Sequence, residues 1–168
     1  LVVDAWIGDA PATQSIRLSR SQAYFDNSFT SGVEGAIVEV SSNTGQTIVF
    51  SEAQNGQYTW TPGPGQMLGN VGDIFTLTVG IEGRQLQATS VMLPAPPIDS
   101  ITQEFRENEF TGPDGIYAQF FARDLPGIGN TYWIKTFKNG LFLNKPEEIN
   151  IAFDAGFDAG AQLNQLIF

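Results

Sequence analysis

The stretch from Val33 to Trp60 constrains the fold more than any other, because strand alternation and turn chemistry change places in it several times. Ala36, Val38 and Val40 alternate with Ile37 and Glu39, so one face of a pleated strand is small and apolar while the other carries a charge. Ser41 to Gly45 then supplies residues that tolerate positive φ or bond their own backbone, and Thr47-Ile48-Val49-Phe50 returns as a β-branched run. Asn55-Gly56 repeats the turn signal before Gln57-Tyr58-Thr59-Trp60. This pattern predicts the central hairpin of a β-sandwich.

Composition agrees with that architecture and removes several kinds of chemistry. An apolar share of 42% is ample for a core, and Gly 18 with Pro 9 suits short strands joined by turns. A net charge of −10 with only eight Lys and Arg argues against nucleic acid, whose affinity comes from cations displacing counterions. Cysteine and histidine are absent, which removes disulfides, thiolate nucleophiles, Ser-His-Asp triads and His-ligated zinc. No run of about 20 apolar residues offers a transmembrane helix.

In chain order, Leu1 to Ile7 and Ser15 to Ser19 read as strands, with Gly8-Asp9-Ala10-Pro11 as the turn between them. Gln22 to Phe29 is too irregular for a strand and too aromatic for an ordinary loop, and is expected to pack over one end of the sandwich. Ile74 to Gly80, with Phe75, Leu77 and Val79 inward, forms a hairpin through Glu82-Gly83 with Arg84 to Val91. About seven strands at this spacing predict an immunoglobulin-like or transthyretin-like β-sandwich over residues 1–93. Pro94-Ala95-Pro96-Pro97 interrupts any ladder, so 94–99 reads as a linker and 100–168 as a second, incomplete antiparallel β domain. Within it Ser100 to Glu104, Gly115 to Ala122 and Thr131 to Phe137 read as strands, and Lys138-Asn139-Gly140 as a hairpin into Leu141-Phe142-Leu143. The fold class is all-β. Leu1-Val2-Val3 opens like a processed chain, and the apolar run Leu163 to Phe168 leads to the expectation that the protein continues.

Candidate sites are few. Carboxylate pairs are the remaining acid-base equipment, and Glu104, Glu107 and Glu109, or Glu147 and Glu148, would be the pairs a glycosidase-like or peptide-cleaving enzyme drew upon. Neither cluster sits in a recognisable catalytic context, so they read as solvated loop charges and no catalytic residue is assigned. Asp154 and Asp158, in the repeated Phe-Asp-Ala-Gly, are hard oxygen donors suited to calcium, but they lack the dense spacing of a calcium loop, and no cofactor is expected. Asp124 and Asn130 bracket a shaped loop with Pro126, Gly127 and Gly129, where they would ligate an ion or orient a hydroxyl. Tyr24, Phe25, Trp60 and Trp133 are the aromatic candidates for stacking on a sugar or anchoring a partner.

Taken together, Leu1-Val2-Val3 with Trp6-Ile7, Arg17-Leu18-Ser19-Arg20 before Tyr24-Phe25, Gly35-Ala36 with Val38 and Val40, and Gly56 with Tyr58 form a pattern. Pro97-Ile98-Asp99-Ser100, Asp124 with Pro126-Gly127 and Gly129-Asn130, Tyr132, and Asn139-Gly140 continue it along nearly the whole chain. The pattern resembles family 4249 of the domains of unknown function, lipoprotein-like proteins of Bacteroidetes-type outer membranes. The Gly35-Ala36 and Gly56-Tyr58 portion is also similar to carboxypeptidase regulatory-like domains, which are accessory sandwiches. The resemblance implies a signal peptide and lipid-modified cysteine upstream, an outer-membrane location, and a TonB-dependent receptor as partner. It carries over no functional residue. The expectation is a non-catalytic binding or scaffold module of the cell envelope, with a carboxylate-dependent enzyme as the alternative.

Overall fold

The computed structural model describes residues 1–23, 25–26, 28, 30–107, 114–153 and 162–167, with backbone alone at 147 and 162–167. They fall into two compact units, Leu1–Pro94 and Ala95–Phe168. Apart from one 3-10 turn at Pro146–Glu148, every regular element among the described residues is a β-strand.

Unit one holds β1 (Val2–Trp6), β2 (Gln14–Ser19), β3 (Ile37–Ser42), β4 (Thr47–Glu52), β5 (Gln57–Trp60), β6 (Ile74–Ile81) and β7 (Arg84–Val91). They form one antiparallel sheet in the order β1-β2-β5-β4-β3-β6-β7. The sheet curls at β4, which pairs with β3 through Thr47 to Phe50 but with β5 only through Ser51 and Glu52. The curl lays β1-β2-β5 over β3-β6-β7, so Ile16, Leu18 and Tyr58 from one layer share a core with Val38, Val40, Phe75 and Val79 from the other. Alternation drives this burial. Val38 and Val40 are buried while Ile37, on the opposite face of β3, stays exposed, and each aliphatic side chain taken from water contributes about 1.5–3 kcal/mol.

Turn chemistry sets the registers. Glu82 and Gly83 both take positive φ (50° and 72°), the geometry of a two-residue hairpin, and Ile81 pairs with Arg84 beside it. Gly56, at φ 73°, lets two backbones cross: its carbonyl accepts from Leu18 N at 2.8 Å, and Leu18 O accepts from Val33 N at 2.9 Å. A Cβ on Gly56 would lie 2.5 Å from Val33 N and against Leu18 O, and one on Gly32 would strike the Asn55 carbonyl.

Tyr58 closes the core from inside. Its side chain is fully buried, its hydroxyl donates to Val33 O at 2.9 Å and accepts from Ala36 N at 3.0 Å, and Glu52 Oε2 beside it accepts from Gly35 N at 2.8 Å. Burial pushes the phenol above its ordinary value of 10.0, since an ionised ring has no water there.

Unit two holds β8 (Ile98–Arg106), β9 (Gly115–Arg123), β10 (Thr131–Ile134), β11 (Thr136–Lys138), β12 (Leu141–Leu143), β13 (Asn150–Phe153) and β14 (Gln162–Ile167). A three-stranded sheet runs β14-β9-β8, and two short ladders pair β10 with β13 and β11 with β12. Two expectations need correction. The strand expected from Ser100 begins at Ile98, inside the segment read as linker, and a bulge between Ile98 and Ser100 absorbs the change. The single strand expected over Thr131 to Phe137 breaks at Lys135, because the Asn139-Gly140 turn commits Thr136–Lys138 to β12 while Thr131–Ile134 pairs with β13. The core of this unit is small, with Phe120 and Ala122 buried against Ala118 and Ile134.

Candidate functional site

The open side of the curl in unit one forms a concavity. One wall is β1, held along β2 by a turn that Gln14 fixes: its buried amide accepts from Gly8 N at 3.0 Å and donates to Ala10 O and Ala12 O at 3.1 and 3.0 Å. Register puts Val3 and Ala5 on the inward face beside Leu18 and Ile16. The other wall is β7, whose end is pinned by Met92 N donating to Asp73 O at 3.0 Å and Gly72 N donating to Met92 O at 2.9 Å. Leu86, Ala88 and Ser90 share the inward face with Val79, Leu77 and Phe75.

Between these walls lies a groove of about 320 Å³. Ala5, Trp6 and Ile7 form one lip, Ala88 to Met92 the other, and Ile16, Val40, Phe75 and Leu77 the floor. None of its lining residues is charged. Trp6 remains 65% exposed, and every residue of β1 and β7 is exposed although both strands belong to a two-layer sandwich. The groove is at the small end of ligand-binding cavities and suits apolar groups better than ions or sugars.

The loop in unit two is a different kind of place. Asp124 is 6% exposed; its Oδ1 accepts from the Tyr132 hydroxyl at 2.6 Å, which in turn accepts from Leu125 N at 3.0 Å. Asn130 Nδ2 donates to Leu125 O at 3.2 Å and Gly127 O at 2.8 Å. The two polar residues singled out in the sequence each bond within the loop, Asp124 to Tyr132 and Asn130 to the Leu125 and Gly127 carbonyls, in service of the loop's own shape. Asp124 Oδ2 is buried without a hydrogen-bond partner.

Against known families, residues 1–164 match the model of a domain of unknown function (DUF4249). The chain belongs to the DUF4249 family. No match emerges among curated proteins or among solved structures. The DUF4249 match takes in both units, so the groove and the Asp124 loop both lie within the family region.

The other candidates of this DUF4249 chain scatter. Phe25 is 89% exposed rather than packed over the sandwich, and Tyr24 lies outside the described residues. Trp60 is half-buried against the core of unit one. Trp133 in β10 carries the Lys135 ammonium 4.5 Å from its ring centre and lies 6.3 Å from Phe142. Glu104 accepts from Arg106 Nη2 at 3.0 Å and Gln119 Nε2 at 3.1 Å, and Glu148 Oε2 accepts from Lys145 N at 3.1 Å. Glu107 is exposed. Glu109, Asp154, Asp158 and the Glu147 side chain lie outside the described residues, and no group of three acids suited to a metal occurs among those described. Trp6 and Ala88 escaped sequence reasoning. The available signal was Leu86-Gln87-Ala88-Thr89-Ser90, a strand whose inward residues shrink along its length.

Proposed function

We propose that the chain is a non-catalytic binding or scaffold module of the cell envelope, lipid-anchored at the outer membrane and working beside a TonB-dependent transporter. The observation that carries the binding role is the uncharged groove between β1 and β7, open to solvent and flanked by Trp6. An apolar concavity with an aromatic at its lip is the form partner-anchoring sites take. The envelope setting and the transporter rest on the family resemblance. The lack of histidine and cysteine supports the non-catalytic side, as do Glu104 and Glu148, each engaged by neighbours.

The test is extraction of the tagged full-length protein from native membranes in mild detergent. A β-barrel receptor recovered in constant proportion is the expected result; repeated recovery of free monomer would defeat the proposal. Hydrolysis of peptides or glycans that disappears in an Asp124→Asn or Glu104→Gln variant would instead favour the carboxylate-dependent enzyme.

A further inference from the structure

We infer that the outer edge of β7 takes up an extended segment of a partner polypeptide, added to the sheet as a further strand with alternate apolar side chains turned toward the groove. The inference rests on the binding role proposed above and specifies how the partner is held.

The first support is the edge itself. β7 closes the sheet order and pairs with β6 through all eight of its residues, from Arg84 to Val91, with no break in register. Among the described residues no strand lies on its other side. Edge strands normally discourage such pairing with charge, proline, a bulge or short length. β1 is five residues long and carries Asp4; β8 has Pro96 and Pro97 ahead of it, a bulge near its start, and Glu104 and Arg106 along it. β7 has Arg84 at its first position and then seven residues without charge or proline. It is long, regular and unguarded.

The second support is the chemistry of the groove beside it. In a protein with 18 acidic and eight basic residues, a lining free of charge calls for an uncharged occupant. A strand laid along β7 projects every second side chain to the inward side, where Ala88 and Ser90 leave room. A second copy of this chain fits poorly. Paired antiparallel about a two-fold axis normal to the sheet, it would offer its own Leu86, Ala88 and Ser90 to that side, and two of these three are too small to fill the space. The occupant is therefore a different segment, neutral, with larger apolar residues at alternate positions.

The test uses the full chain and a capped, strand-length peptide alternating leucine with threonine, titrated by fluorescence anisotropy. Saturable binding is expected, weakened at least about tenfold by Ala88→Arg. Gln87→Arg, on the opposite face of the same strand, should leave it within about twofold. Of the two peptides N-methylated at alternate amides, the one whose methyl groups point at β7 cannot complete the ladder and should lose binding, while the other should keep it. If both methylated peptides bind as well as the parent, strand addition is wrong. If Ala88→Arg has no effect, the groove is not the contact; Ser90→Arg repeats the measurement should Ala88→Arg lower the melting midpoint. A concentration-dependent dimer dissolved by Ala88→Arg would assign the edge to a second copy and overturn the inference. A receptor that still co-purifies with the Ala88→Arg protein would sink strand addition while leaving the binding role standing, whereas loss of the receptor with the wild-type chain would remove both.

Discussion

Replacing Tyr58 with phenylalanine removes one oxygen atom and leaves the ring, and therefore the packing, in place. The hydroxyl donates to Val33 O and accepts from Ala36 N, at 2.9 and 3.0 Å. Val33 is buried, so its stranded carbonyl costs about 1–3 kcal/mol; Ala36 is half-buried and its N–H can reach water, which limits that loss to about 0.5–1.5 kcal/mol. The expected destabilisation is about 2–4 kcal/mol, or a fall in melting temperature of about 10–20 °C for a unit the size of Leu1–Pro94. Alkali supplies an independent reading. The phenol is raised above 10.0 in the fold, so its contribution is complete below that pH and is lost as pH climbs through the raised value, where the unfolded chain ionises first. Wild-type stability should fall above about pH 10, and the Tyr58→Phe protein should show less of that fall. Urea unfolding followed by circular dichroism at pH 7 and above pH 10, with hydrogen exchange at β5 amides to isolate unit one, measures both. A loss below about 0.5 kcal/mol at neutral pH, or parallel pH profiles for the two proteins, would refute the claim that the buried hydroxyl ties the loop to the core.

Gly56→Ala meets both a positive φ and two backbones, and should cost about 3 kcal/mol or more, whereas Gly83→Ala, at nearly the same φ with open space around it, should cost about 1–2 kcal/mol. Equal losses in parallel denaturant titrations would show that the crossing at Gly56 has slack. Asp124→Asn keeps an acceptor for the Tyr132 hydroxyl, so exchange-derived stability of unit two should change by less than about 1 kcal/mol; Asp124→Ala, which removes that acceptor, should lose about 1–3 kcal/mol. The Ser28 backbone N–H, donating to Asp26 at 3.0 Å, holds that carboxyl below its ordinary 3.8, and the stability this contact adds should be present above that pH and be lost as pH falls through the lowered value. An NMR titration of the Asp26 carboxyl with a midpoint at or above 3.8 would contradict this.

The alternation of Val38 and Val40 with Glu39, and of Phe75, Leu77 and Val79 with Thr76 and Thr78, was legible because a two-residue period states which face is covered. The hairpins at Glu82-Gly83 and Asn139-Gly140 were legible because few residues accept positive φ. The sheet order was not, since pairing β5 between β2 and β4 depends on contacts far apart in sequence. The groove was hidden for a related reason. Ala88 and Ala5 alternate like any other inward residues, and nothing local announces that the two outermost strands meet across a gap. Tyr58 reads as one more strand aromatic until the loop at Val33 to Ala36 is seen folding down onto its hydroxyl.

Because β4 is shared by both layers, the unit is built like a book with its spine on one side and its pages free on the other. Breathing of such an object is smallest at the spine and largest along the fore-edge, where β1 and β7 lie. Whatever bridges those two strands therefore acts as a clasp, stiffening the whole volume from the point of greatest leverage. Occupancy there should be readable as slowed amide exchange all the way back to β4.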